Sequence, residues 1–138
     1  MKYSPGRCNI GRTEMEKRYI AGFVGLVLSA IIIGMVSAYI LLWKIPFNSI
    51  NRAWIYILVL PLFLSYEGFF QAYFKCCSTF GMLGIYDMSN GRRLKRKRVK
   101  NRSFYLADVR RSLFIHALSL FFSVATVTVI YLLYANFA

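Results

Sequence analysis

Three long apolar runs, separated by polar segments, dominate the pattern of side chains along the chain. The first, Tyr19–Trp43, contains no charged residue, the second, Trp54–Phe74, contains one glutamate, and the third, Leu113–Tyr134, contains one histidine. Because about 20 helical residues cross a bilayer core about 30 Å thick, each run is long enough to span it. The pattern therefore predicts an all-α integral membrane protein with three transmembrane helices.

A fourth apolar stretch, Gly81–Tyr86, follows the second run closely and is only six residues long. A helix of that length is too short to cross a bilayer. We predict that this stretch forms a re-entrant turn or a short interfacial helix.

The distribution of positive charge predicts the orientation of the helices. Sixteen of the 18 Lys and Arg residues lie before the first run or between the second and third runs. Because such residues concentrate on the cytoplasmic side, we expect the N-terminus and the long loop in the cytoplasm and the C-terminus outside. The chain would then be a multi-pass protein, of the inner or plasma membrane if its source is bacterial. Aromatic residues suited to the interface would lie on the outer side: Trp43, Trp54, Tyr56, Tyr131 and Tyr134.

The composition agrees with a membrane protein. Hydrophobic residues make up 58% of the 138 positions, whereas soluble domains average about 45–50%. The net charge is +13, yet the basic residues are almost absent from the apolar runs. This segregation favours a bilayer over a soluble protein that binds nucleic acid.

Small residues recur every four positions in the first run, which lets helix backbones approach closely in lipid. Packing within the monomer and a homodimer interface both remain open, and the two faces could serve both. One row is Ala21, Gly25 and Ser29, and the other is Ala30, Gly34 and Ala38.

Two short motifs flank the first two runs. The residues that carry them are Asn9, Gly11, Thr13 and Arg18 before the first run, and Cys77, Leu83, Gly84 and Ile85 after the second. In this pattern residues 8–87 resemble the YgaP-like transmembrane domain family, a two-helix membrane module. Ser78 stands where that family usually has proline.

The resemblance implies a division of the chain into three parts. Residues 1–87 would form the two-helix module, residues 88–112 a polybasic cytoplasmic loop, and residues 113–138 an additional third transmembrane helix. Some family members carry a rhodanese sulfurtransferase domain, but this chain has neither room for that domain nor its cysteine-headed, arginine-bearing loop. The resemblance thus implies a membrane module, and we expect no enzymatic activity and no cofactor.

Three cysteines, Cys8, Cys76 and Cys77, fall on the expected cytoplasmic side. Thiols on a cationic surface have lowered pKa values and raised reactivity. Candidate roles are metal binding, persulfide relay, a redox pair and palmitoylation, beside a purely structural role. Adjacent cysteines fit tetrahedral zinc poorly, so we predict no metal site.

Polar side chains fall at similar depth in the second and third helices. Glu67 and Gln71 are four residues apart on one helix face, and His116 and Ser119 lie at comparable depth on the third helix. Ionisable residues inside a membrane usually face a partner or a cavity. Two interpretations remain open: a proton or ion relay through Glu67 and His116, and an interhelical hydrogen bond that fixes packing.

The long loop carries a dense basic segment without acidic residues. Attraction to anionic headgroups is worth about 1 kcal/mol per basic residue near the surface, so we expect binding to an anionic lipid surface or to an acidic partner protein. Nucleic acid is not an expected partner, because no aromatic residue is interleaved. The basic residues are Arg92, Arg93, Lys95, Arg96, Lys97, Arg98, Lys100 and Arg102.

The sequence therefore predicts a non-enzymatic small polytopic membrane protein with a basic cytoplasmic surface. It would act as a homo-oligomer or as an accessory subunit of a larger membrane complex. Two alternatives remain: a membrane-bound thiol or sulfur-handling protein that uses the three cysteines, and a small transporter or channel that uses Glu67 and His116.

Overall fold

A computed structural model gives the fold, and we describe its residues 2–7, 9–43, 52–89 and 96–137. Four α-helices and one short hairpin are connected in chain order. They are α1 Arg12–Trp43, a 3₁₀ helix Arg52–Leu58 continued by α2 Val59–Tyr73, α3 Ser78–Leu83, β1 Ile85–Tyr86, β2 Lys97–Arg98 and α4 Arg102–Phe137.

The three expected membrane spans are present as helices. By length and composition, the segments Arg12–Tyr39, Ile55–Tyr73 and Arg102–Asn136 are each able to cross a membrane. Helix α2 packs against both α1 and α4, so it is the central helix of the three. The prediction of a mostly helical protein with three such helices is confirmed.

The second span combines two kinds of helix because of a proline. Pro61 lies in the first turn of α2, directly after the 3₁₀ helix. Proline has no N–H to donate to the carbonyl four residues before it, and its ring crowds that carbonyl, so a change of helix type is expected at this point. Apolar residues of this segment pack against α4 in a small core made of Ile55, Leu58, Leu62 and Val127.

The third helix begins earlier than the sequence predicted. Asn101 caps α4, because its side-chain oxygen accepts a hydrogen bond from the Ser103 backbone N–H at 2.9 Å, as capping residues do. Residues 102–112 are therefore helical, and the predicted division into a loop 88–112 and a helix 113–138 is wrong in placing these residues in a loop. A search for apolar runs did not detect residues 102–112 as helix, because this segment contains charged residues.

The first half of the short apolar stretch is helical, and its second half belongs to strand β1. Helix α3 begins at Ser78, three residues before the predicted Gly81, and ends at Leu83; Gly84 follows it with a left-handed φ of 65°. Strand β1 then pairs antiparallel with β2, with Tyr86 opposite Lys97. Of the two predicted alternatives, the short helix is the one that forms.

Helices α1 and α2 touch backbone to backbone. A Cβ atom on Gly25 would lie 2.6 Å from the Pro61 carbonyl oxygen, and one on Gly68 would lie 2.6 Å from the Arg18 carbonyl oxygen. Separations this short exclude any side chain. Glycine is therefore required at both positions for this packing.

The two rows of small residues in α1 have different surroundings. Gly25 and Ser29 are buried within the chain, whereas Ala30, Gly34 and Ala38 are exposed. A Cβ atom on Gly34 would meet nothing within 4 Å. The first row thus serves packing within the monomer, and the second row leaves a helix face available for close approach.

Candidate functional site

A tight turn between α2 and α3 brings a hydroxyl group over the C-terminal end of α2. Lys75 has a left-handed φ of 54°, which is uncommon for a residue with a side chain. The Cys76 backbone N–H donates to the Gln71 carbonyl at 2.9 Å and closes the turn. The chain therefore returns on itself, and Ser78 comes to lie against α2.

Three polar side chains contact a single carboxylate oxygen of Glu67. Its Oε1 accepts hydrogen bonds from the Ser78 hydroxyl and from Gln71 Nε2 at 2.6 Å, and it lies 3.0 Å from His116 Nδ1. The glutamate side chain is 9% exposed and the histidine side chain 36%. One carboxylate thus connects α2, α3 and α4 at the end of the bundle where α3 lies.

Two oxygens of this cluster lack a partner among the described residues. Glu67 Oε2 and Gln71 Oε1 are both buried without a hydrogen bond. The Gln71 nitrogen donates to both Glu67 and Ser78, and this fixes the direction of the amide. The cluster therefore contains two buried acceptors that no described residue satisfies.

The structure places the predicted polar residues in two groups. Glu67, Gln71 and His116 come together, whereas the buried Ser119 hydroxyl donates to the Ile115 carbonyl of its own helix at 2.8 Å. Sequence reasoning missed Ser78 as a member of the cluster. The sequence pointed to Ser78 only in that it stands where the resembled family usually has proline. A proline at this position would supply no hydroxyl.

The cysteine pair lies inside the protein. Cys76 and Cys77 are 0% exposed, and Cys77 packs with Ile10 and Phe80. Burial raises the pKa of the Cys77 thiol, and the positive charge of Arg18 only partly counteracts it. A buried, protonated thiol is a poor nucleophile.

Two further sequence predictions concern Cys8 and metal binding. Cys8 lies outside the described residues, so its proximity to the pair stays a prediction. Within the described parts of the chain, no group of three His, Cys, Asp or Glu side chains could hold a metal ion.

Cys77 is therefore expected to react slowly with iodoacetamide. Because burial raises its pKa, the rate should increase only at a pH above that at which an exposed cysteine ionises. In a Cys8→Ser background, mass spectrometry should find alkylation at least about 100-fold slower than in the variant Met82→Cys, since reaction needs local opening. Met82 is exposed on α3, and equal rates at the two positions would contradict the buried placement.

The N-terminal segment docks on the turn that follows α2. Asn9 brackets Cys77: its Nδ2 donates to the Cys77 carbonyl at 3.1 Å, and its Oδ1 accepts from the Cys77 N–H at 2.7 Å. The Gly11 N–H donates to the Asp87 carbonyl at 2.6 Å. The two sequence motifs, distant along the chain, thus lie against each other.

A buried carboxylate on α4 holds the beginning of the chain. Asp108 is 0% exposed and accepts from the Tyr3 hydroxyl at 2.7 Å and from the Gly6 N–H at 2.6 Å. These contacts raise the pKa of Tyr3, first through burial and then through the hydrogen bond. Asp108 could not be identified from the sequence, because its partners Tyr3 and Gly6 are about a hundred residues away.

The N-terminal segment, α3 and the hairpin therefore form one layer at the end of the bundle, which we call the end layer. Five basic residues near the hairpin are exposed on the end layer: Arg96, Lys97, Arg98, Lys100 and Arg102. The Arg96 guanidinium also lies over the Phe80 ring, 5.3 Å from its centroid. Arg92, Arg93 and Lys95 lie outside the described residues.

Comparison with known proteins adds no relative. No family model matches the chain, and neither a curated protein nor a solved structure is similar to it.

Proposed function

We propose that the chain is a non-enzymatic polytopic membrane protein whose basic end layer binds anionic lipid headgroups on the cytoplasmic side. It would act as a homo-oligomer or as an accessory subunit of a membrane complex. The observation that carries this proposal is the packing of the N-terminal segment on α3 and the hairpin, which brings both basic segments of the chain to one end of the helices.

Charge and exposure support the lipid interaction. The exposed Lys and Arg side chains of the hairpin region stand on a folded layer at one end of helices whose exposed surface is largely apolar. Each basic residue near an anionic leaflet contributes about 1 kcal/mol of attraction. By the positive-inside rule, this end faces the cytoplasm.

Two further parts of the proposal rest on separate observations. The exposed row Ala30, Gly34 and Ala38 leaves room for the backbone of another helix, as in membrane oligomers. The docking of Asn9 on Cys77 supports a YgaP-like module in residues 1–87, because it joins the two motifs on which that resemblance rests.

Anionic lipid is expected to stabilise the purified protein. Adding phosphatidylglycerol to the micelles should raise the unfolding temperature by several degrees more than phosphatidylcholine does, because only binding to the folded state stabilises it. The difference should shrink in about 0.5 M salt, which screens surface charges. An equal response to the two lipids would contradict the proposal.

A second candidate function is a proton or ion pathway that uses Glu67 and His116. The two buried oxygens without partners, Glu67 Oε2 and Gln71 Oε1, favour it.

Thiol chemistry is less well supported, because Cys76 and Cys77 are buried. Replacing all three cysteines by serine without loss of cellular activity would exclude that alternative.

A further inference from the structure

A groove of about 510 Å³ lies on the end layer, between the N-terminal segment, the hairpin and the beginning of α4. We call it the hairpin groove. Its lining combines basic and aromatic residues: Lys97, Arg98, Lys100, Tyr3, Tyr86 and Phe104. Among the described residues, none that lines the groove is acidic, so the charged residues of its lining are all positive.

The aromatic wall of the hairpin groove is held in place by the fold. Tyr3 and Tyr86 stack with their ring centroids 4.2 Å apart and an interplanar angle of 16°. The Tyr3 hydroxyl is tied to Asp108, and Tyr86 pairs with Lys97 across the hairpin. The groove is thus partly preorganised, which lowers the entropy lost on binding.

The hairpin groove opens beside an apolar surface. Phe104, Tyr105 and Leu106, in the first turns of α4, are all exposed. Leu113, seven residues after Leu106 and therefore on the same face of the helix, is exposed as well. A ligand with an anionic head and an apolar tail would therefore find complementary surfaces for both parts.

We propose that the hairpin groove binds the phosphate-bearing headgroup of one anionic phospholipid, with its acyl chains along α4. This inference rests on the proposed function, because it assumes that the end layer faces a leaflet. It goes further by naming one site and three cationic residues, Lys97, Arg98 and Lys100. Phosphate diesters suit such a cluster through charge-assisted hydrogen bonds, and the exposed apolar start of α4 favours a lipid over a soluble phosphate compound.

Two charge-matched triple variants test the site. K97Q/R98Q/K100Q removes the cations of the groove, and R7Q/R12Q/R110Q removes three exposed basic residues outside its lining. Native mass spectrometry of the full chain in micelles would measure retention of phosphatidylglycerol. We expect at least about tenfold weaker retention in the groove variant and less than about threefold in the control.

The outcomes separate the site from the wider proposal. Equal losses in the two variants would overturn the hairpin groove and leave a general basic surface. Retention by the wild type that is no stronger for phosphatidylglycerol than for phosphatidylcholine would sink both proposals. Displacement of the lipid by millimolar inorganic phosphate would show a phosphate site and overturn the lipid assignment.

Should the triple variant fail to fold, the single variant Lys100→Gln is expected to weaken retention about threefold, and unchanged retention would contradict the proposal.

Discussion

Replacing Gly68 by alanine is expected to lower the free energy of unfolding by about 3 kcal/mol, at the upper end of overpacking costs. The added Cβ atom would lie 2.6 Å from both the Arg18 carbonyl oxygen and the Gly22 nitrogen. Both contacts are with backbone atoms of α1, so relief requires the two helices to separate. Unfolding of the purified protein in mixed micelles, titrated with a denaturing detergent, would measure the change.

Gly34→Ala is the matched control. A Cβ atom there meets nothing within 4 Å, so only the higher helix propensity of alanine remains, worth up to about 1 kcal/mol. The same substitution should therefore destabilise at Gly68 and be neutral or stabilising at Gly34. A loss at Gly68 no larger than at Gly34 would show that α1 and α2 do not pack as described.

Replacing Glu67 by alanine is expected to cost about 3 kcal/mol of folding free energy, because a buried donor left without an acceptor costs about 1–3 kcal/mol. The change leaves the Ser78 hydroxyl and the Gln71 amide without their shared acceptor and removes the carboxylate beside His116 Nδ1. Glu67→Gln keeps an oxygen that can accept these bonds and should cost about 1 kcal/mol. Both variants can be measured by the same detergent titration.

Glu16→Ala is the control for the loss of a carboxylate. Glu16 forms an ion pair with Arg12 at 3.3 Å, but its side chain is 62% exposed, so its removal should change stability by less than about 0.5 kcal/mol. Equal effects of Glu67→Ala and Glu16→Ala would contradict the buried cluster.

Glu67→Gln also tests the second candidate function. Proton uptake into vesicles containing the purified protein, driven by an imposed pH gradient, should be strongly reduced in this variant if Glu67 carries protons. Flux that is absent in the wild type, or equal in the variant, would exclude a proton pathway through Glu67.

The elements that the sequence predicted well are those set by local pattern. Apolar runs of transmembrane length identified the three helices, because such runs have few alternatives in lipid. The contact between Glu67 and His116 could be predicted from the sequence, because helix geometry determines the depth of each residue from its position in an apolar run. The start of α4 was missed because Arg110 and Arg111 break the apolar pattern without breaking the helix.

The parts that could not be predicted depend on contacts between distant residues. The Asn9 side chain forms hydrogen bonds with the backbone of Cys77, so no pattern of side chains in the sequence predicts this contact. Ser78 reaches Glu67 only through the left-handed turn at Lys75, which a residue other than glycine rarely forms. Asp108 looks like a solvent-exposed residue of a basic segment until the N-terminal segment covers it.

The central claim is that the end layer faces the cytoplasm of a three-helix membrane protein. Labelling of intact cells with a membrane-impermeant maleimide would test it, in Cys8→Ser chains that carry either Lys100→Cys or Asn136→Cys. Both positions are exposed: Lys100 lies just before α4 and Asn136 lies at its C-terminal end. We predict that the cysteine at 136 is labelled in intact cells and that the cysteine at 100 is labelled only after permeabilisation. Labelling in the reverse order, or of both positions in intact cells, would contradict the account.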